Sequence, residues 1–371
     1  MQTDSGCNFA KHIIMKLFNC SNCSQLLYFE NTKCYHCGSA LGFVEESLQL
    51  VALTTENDGR FSHTQNKQKS FYRYCANYNH AVCNWMVLEG GTDPYCKACE
   101  LNRTIPDISN PAYMARWAEI EKAKHRLIYS LLMLGLKVVS KTYDPDKGLF
   151  FDFIADLNRQ GEEKVLTGHD NGVITINIAE ADDIEREMAR KAMDEVYRTL
   201  LGHFRHEVGH YYWDRIIDNT NHLNDFRKLF GDDRIDYTEA LKQHYENGIP
   251  ANWEQQYISS YASTHPWEDW AETWAHYLHI VDTLETAYAF GMSVHPLAAK
   301  NSSDYNTDIK SDPYRVDKFE KIIDQWLPLT FAMNSLSRSM GQHDIYPFVI
   351  SPKVIEKLKF IHKVVRSGSF N

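Results

Sequence analysis

The run His206-Glu207-Val208-Gly209-His210 constrains this chain more tightly than any other five residues in it. On an α-helix, residues four apart lie one turn above each other, so both imidazoles can reach a single cation. Glu207 follows His206 by about 100° of rotation, near enough to act on a water beside that cation without being a ligand. The spacing works only on a helix, and the flanks predict one. Thr199 to Arg205 leads straight into the run, and Tyr211 to Ile217 continues it with apolar residues at helical intervals. Upstream, Val173 to Ile178 is β-branched with alternating apolar positions and reads as a strand, the kind of edge that can pair with an extended chain. Asp182 to Arg198, between the two, carries helix formers.

Two histidines leave a zinc site short of a third protein ligand and an open position. The best candidate is Glu268, about sixty residues on, in Tyr261-Ala262-Ser263-Thr264-His265-Pro266-Trp267-Glu268-Asp269-Trp270-Ala271-Glu272. Pro266 suits the first turn of a helix, and the acids after it complement the helix dipole. Glu272 falls one turn after Glu268 and is placed to accept a hydrogen bond from a ligand imidazole. Asp269 and Glu272 are the substitutes for Glu268. The neighbouring Trp267, Trp270 and Trp274 predict a helix packed on several sides, whose acids need a buried purpose. His203 lies about one turn before His206 and reads as a packing histidine near the ligands. These residues together predict hydrolysis by a metal-activated water with Glu207 as general base, which passes its proton to the leaving amine.

The amino-terminal third carries a separate pattern. Cys20-Ser21-Asn22-Cys23 and Cys34-Tyr35-His36-Cys37 are paired knuckles whose four thiolates suit a tetrahedral structural zinc. Cys75, Cys83, Cys96 and Cys99 supply a second set of four, with His36 and His80 as bystanders. Cys7 is left as an unpaired thiol. The expected metal content is one catalytic and two structural zinc ions.

Such knuckles without an export signal or a long apolar run predict a cytoplasmic protein, since zinc explains them better than disulfides. A net charge of −10 argues against broad nucleic-acid affinity. Residues 1–110 hold nine Lys and Arg against ten Asp and Glu, so this ribbon does not look like a phosphate binder either. The expected partner is a protein or peptide substrate, with no nucleic acid and no membrane. At 371 residues the chain exceeds what one core usually serves. Pro106 and Pro111 mark a linker, giving a zinc-ribbon region over 1–105 and a second domain over 106–371. Helices are expected over 112–134, 313–336 and 352–365, strands over 136–140 and 149–154, and helical and loop-like cover over 221–257.

The region from Ile174 to Leu278 resembles the gluzincin metallopeptidases in which a short interval separates HExxH from the ligand glutamate. In that group a tyrosine precedes the ligand glutamate by seven residues and a second glutamate follows it by four, as Tyr261, Glu268 and Glu272 do here. The resemblance implies that Tyr261 donates to the oxyanion of a tetrahedral intermediate. His265, nearer Glu268, is the other candidate for that donor. The whole layout, from Phe18 to about Leu336, is similar to a bacterial family of zinc-binding metallopeptidases with an amino-terminal zinc ribbon. It implies an α+β chain: a zincin-like peptidase domain preceded by a small β-rich ribbon domain. The alternative is a zinc-binding protein-interaction module without catalysis, or a hydrolase of another substrate. An intact Glu207 argues against it, because a purely structural ion has no need of a base.

Overall fold

A computed structural model of the chain describes residues 17–63, 70–156, 167–182, 185, 186, 188, 199–298 and 303–368. Packing divides these residues into two units. One extends to Tyr74 and takes in Asn84–Gly91, and the other comprises Cys75–Cys83 and Thr92 onward. The first cysteine group thus lies in the first unit and the second group in the second. Cys7 and most of 182–198 lie outside the described residues.

The first unit is built from short antiparallel strands. β1 (Leu17–Asn19) and β2 (Leu26–Tyr28) form a hairpin whose connection holds Cys20 and Cys23. β3 (Leu41–Val44) pairs with β4 (Gln49–Ala52), and β5 (Thr54–Thr55), β6 (Phe61–Ser62), β7 (Tyr72–Tyr74) and β8 (Met86–Leu88) make a four-stranded sheet. Its core is aromatic and aliphatic. Phe43 stands between Phe29 and Trp85 with ring centroids 5.3 and 4.3 Å away, while Val44, Val51, Tyr72 and Met86 close over one another. The polar stretch Thr54–Arg60, which reads as a loop, is a hairpin instead. Two β-branched threonines extend it on one side, and Glu56 N–H donates to Arg60 O at 2.8 Å across the turn.

The second unit opens with β9 (Asn102–Thr104) and α1 (Pro111–Met133). Asn110 caps α1 by accepting from Ala112 N–H at 3.0 Å, and Pro111 occupies the first turn. β10 (Phe150–Ile154), β11 (Gly168–Asp170) and β12 (Val173–Asn177) complete a sheet of order β11-β12-β10-β9. β10 runs parallel to β12 and β9, and β11 is an antiparallel edge. The expected strand over 136–140 forms only an isolated bridge from Ser140 to Leu149. Its alternation is real, since Leu136, Val138 and Ser140 are buried, but β9 and β12 already occupy both sides of β10. β10 therefore has no side left to offer it.

Helices follow. α2 (Leu200–Ile216) is capped by Thr199, whose hydroxyl accepts from Gly202 N–H at 3.0 Å. α3 (Leu223–Phe230) and α4 (Tyr237–Asn247) are the cover expected over 221–257. α5 (Pro266–Ala289) is buried nearly all round, with Trp270, Trp274, Ile280 and Val281 fully buried. It lies inside a bundle. α2 lies along it, and α6 (Phe319–Ser339) and α7 (Pro352–Arg366) pack on it. A β-rich first part and a mostly helical second part give an α+β chain. Among the described residues no helix is long and apolar enough to cross a membrane.

Candidate metal centre

Thr199 starts α2 and His265 starts α5, and these two caps set the rotational phase of the residues that meet between the helices. His265 uses both ring nitrogens in doing so. Nδ1 accepts from Trp267 N–H at 3.1 Å and Nε2 donates to Ile235 O at 3.1 Å. From α2, His206 and His210 bring their Nε2 atoms to 3.2 Å of each other. From α5, Glu268 places Oε2 3.0 Å from His206 Nε2 and Oε1 3.6 Å from His210 Nε2.

The His206 tautomer follows from its partner. Glu272 Oε1 lies 2.7 Å from His206 Nδ1, and an ionised carboxylate can only accept, so Nδ1 carries the proton and Nε2 presents a lone pair. Glu268 Oε2 is buried and accepts no hydrogen bond. Two imidazole nitrogens and a carboxylate oxygen therefore face one another across a space a cation would fill. This donor set, two nitrogens and one oxygen with mutual distances under 4.8 Å, suits zinc.

Glu207, on the same helix, is buried and close enough to feel both imidazoles, and burial raises its carboxyl above the usual range. That direction suits a group that must take up a proton near neutrality. Tyr261 stands with its ring centroid 6.1 Å from that of His206. Burial and the Glu268 carboxylate push its phenol up, so it remains a protonated donor. Asp269, one residue past Glu268, points away from the cluster. Its Oδ2 pairs with Lys357 Nζ of α7 at 2.6 Å. His203 also stays apart, with Nδ1 3.5 Å from Glu180 Oε2.

One residue at the centre escaped the sequence reading. Tyr237, the first residue of α4, donates its hydroxyl to Glu268 Oε1 at 2.8 Å. No motif marks it. The only signal is an aspartate cap, Asp236, that starts a helix with a tyrosine at its first position.

Both cysteine groups are assembled. Cys20, Cys23, Cys34 and Cys37 form one cluster, with Cys20–Cys37 and Cys23–Cys34 sulfur separations of 3.7 and 3.6 Å. Gly38, at φ 77°, turns the chain back after the last of them as an L-residue rarely could. Cys75, Cys83, Cys96 and Cys99 form the other, fully buried, with Cys83 and Cys96 sulfurs 3.7 Å apart. None of these cysteines is in a disulfide. Separations near 3.7 Å are what four thiolates about 2.3 Å from one zinc ion adopt. His36 is exposed and His80 packs on Trp117, so neither joins a cluster.

Comparison with known proteins agrees with this division of chemistry. Residues 17–110 match a zinc-ribbon domain. Residues 113–364 match a family described as "Putative zinc-binding metallo-peptidase". An uncharacterized protein of Mycobacterium bovis is 44% identical over 352 residues, covering 95% of each chain, and uncharacterized proteins of two Mycobacterium tuberculosis strains match to the same extent. No solved structure matches. With a family match over 113–364 and a zinc ribbon before it, the chain belongs to that zinc-binding metallo-peptidase family.

Proposed function

We propose that this protein is a zinc-dependent peptidase of gluzincin type that hydrolyses peptide bonds, with His206, His210 and Glu268 as ligands of one catalytic zinc ion. The observation that carries the reading is the convergence of two imidazoles and the Glu268 carboxylate, whose Oε2 accepts no hydrogen bond, beside the buried Glu207. Zinc, when bound, supplies Lewis-acid polarisation of a carbonyl and acidifies water. The remaining work falls to side chains. Glu207 takes a proton as water oxygen bonds to the peptide carbon, then gives it to the amine nitrogen as the carbon–nitrogen bond breaks. Tyr261 donates to the oxyanion, a role for which His265 has no free nitrogen. Glu272 fixes the His206 tautomer, and Tyr237 fixes the Glu268 carboxylate. The two cysteine clusters each hold a structural zinc ion, and the ribbon serves protein recognition. Clustered free thiols suit a reducing compartment, and we place the protein in the cytoplasm.

The test is hydrolysis of a denatured protein mixture, with and without a chelator, by the wild-type chain and by Glu207→Gln. Chelator-sensitive cleavage that falls about 10²- to 10⁴-fold in the variant, with zinc content kept, supports the reading. No cleavage by zinc-loaded wild type sinks it in favour of a binding module.

A further inference from the structure

We infer that the buried cysteine cluster of the second unit is half of a two-ion site, in which Cys99 Sγ, His125 Nε2 and Glu121 Oε2 hold a further zinc ion and Cys99 bridges. The inference rests on reading Cys75, Cys83, Cys96 and Cys99 as a zinc tetrathiolate.

Three observations carry it. The first is geometric. Cys99 Sγ lies 3.7 Å from His125 Nε2 and 3.9 Å from Glu121 Oε2, and one ligand atom from each of the three residues falls inside 4.8 Å of the other two. An ion at ordinary zinc–sulfur and zinc–nitrogen distances from Cys99 and His125 would subtend roughly 115° between them, close to tetrahedral.

The second is the direction of the lone pairs. His125 Nδ1 lies 2.6 Å from the Glu121 carbonyl oxygen, which can only accept, so in the neutral ring Nε2 is the unprotonated atom turned to Cys99. Glu121 spends its other oxygen on Asn102 Nδ2, Trp117 Nε1 and Lys124 Nζ, at 2.8, 3.1 and 2.8 Å. Oε2 is left 3.9 Å from Cys99 Sγ and 3.5 Å from His125 Nδ1. Once Cys99 is a thiolate, three electron-rich atoms meet in a place where Glu121 is fully buried and Cys99 and His125 are 2% and 4% exposed. A metal cation between them would make that arrangement favourable.

The third is charge. A divalent ion with four thiolates keeps two negative charges in the interior. Glu121 and the fully buried Lys124 cancel each other, so nothing in the pair offsets them. A second divalent ion brings the cluster to neutrality, and a thiolate sulfur has lone pairs enough to bridge.

The test uses the intact chain, loaded with zinc under reducing conditions and analysed for metal. Four ions per chain are expected: one in each tetrathiolate, one at His206, His210 and Glu268, and one at Cys99, Glu121 and His125. His125→Ala and Glu121→Gln should each lose one ion. Counts unchanged in both variants would overturn the inference and leave a hydrogen-bonded imidazole beside a lone tetrathiolate. Cys83→Ser reads on the underlying assumption separately, because Cys83 belongs only to the tetrathiolate. Zinc lost there upholds that reading, and zinc fully kept overturns it and the inference together. Should the His125 and Glu121 variants fail to fold, the wild-type chain decides. After exchange to ¹¹³Cd, a cadmium–cadmium coupling through Cys99 and a cadmium–nitrogen coupling to His125 Nε2 support two ions, and absence of both overturns them.

Discussion

Glu272 Oε1 lies 2.7 Å from Nδ1 of His206, and its other oxygen accepts from Ser259 Oγ at 2.7 Å. One carboxylate thus ties α5, α2 and the loop before α5 to the orientation of a single imidazole. Its neighbour one turn earlier, Glu268, faces the opposite nitrogen of the same ring. The two glutamates hold His206 between them.

Replacing Glu272 with alanine should therefore weaken the catalytic zinc without removing a ligand. The His206 ring loses the acceptor that fixes its tautomer, and losses of this type cost about 10- to 100-fold in metal affinity. Competition with a zinc-chelating dye, read against the metal retained by the cysteine clusters, measures it. An unchanged affinity would show that Glu272 serves packing alone.

Two tyrosines near Glu268 should separate by phenotype. Tyr261→Phe removes the proposed oxyanion donor and should lower turnover about 10²- to 10³-fold with zinc content unchanged. Tyr237→Phe removes the hydroxyl on Glu268 Oε1 and should act on zinc affinity first. Turnover and zinc binding measured on both variants check the division. The opposite pattern would exchange the two roles.

How much of this centre could be read from the chain depends on how local each relationship is. His206, Glu207 and His210 are fixed by one helical turn, and Glu268 and Glu272 by another, so spacing alone puts each set on one face. The paired cysteine knuckles are local in the same sense. Tyr237 reaches Glu268 from 31 residues away through a helix of its own, and nothing periodic records that. β9 was equally hidden. It pairs in parallel with β10, whose sequence begins well after α1, so only tertiary packing makes the segment a strand. The strand expected over 136–140 failed for the converse reason, an alternating pattern beside a β10 already paired on both sides.

Asp269 shows how a substitute ligand candidate can have another occupation. Its pair with Lys357 is buried, with side chains 1% and 2% exposed, and Lys357 Nζ also donates to Gln256 O at 2.6 Å. Lys357→Met leaves the carboxylate uncompensated inside the protein and should cost about 3–5 kcal/mol. A double variant, Asp269→Leu with Lys357→Met, should recover much of that, because the interior then holds no charge at this point. Urea midpoints of the two variants decide. A single variant as stable as wild type would mean that Asp269 finds another cation.

α2 and α5 approach closely at Gly209, an unconstrained position of the HExxH pattern. A Cβ there would lie 3.0 Å from Ala271 Cα, 3.2 Å from Trp274 Cβ and 3.3 Å from Trp274 Cδ1. Ala271 is backbone, so it cannot swing aside. The same contact carries a hydrogen bond from Trp270 Nε1 to Gly209 O at 2.8 Å, which holds the helices at that spacing. Gly209→Ala gains about 0.8–1 kcal/mol of helix propensity. It meets an overpacking cost of about 1–3 kcal/mol. The balance should be a net loss of about 1 kcal/mol, small enough for the chain to fold. The larger consequence is at the metal, since His206 and His210 ride on one helix and Glu268 on the other. Moving the helices apart by a few tenths of an ångström stretches the donor set across that seam, while the cysteine clusters lie elsewhere. Zinc affinity at the catalytic centre should fall and structural zinc should stay. A Gly209→Ala chain more stable than wild type with unchanged affinity would show that the seam is slack, and that the glycine is not what sets the distance between the two halves of the site.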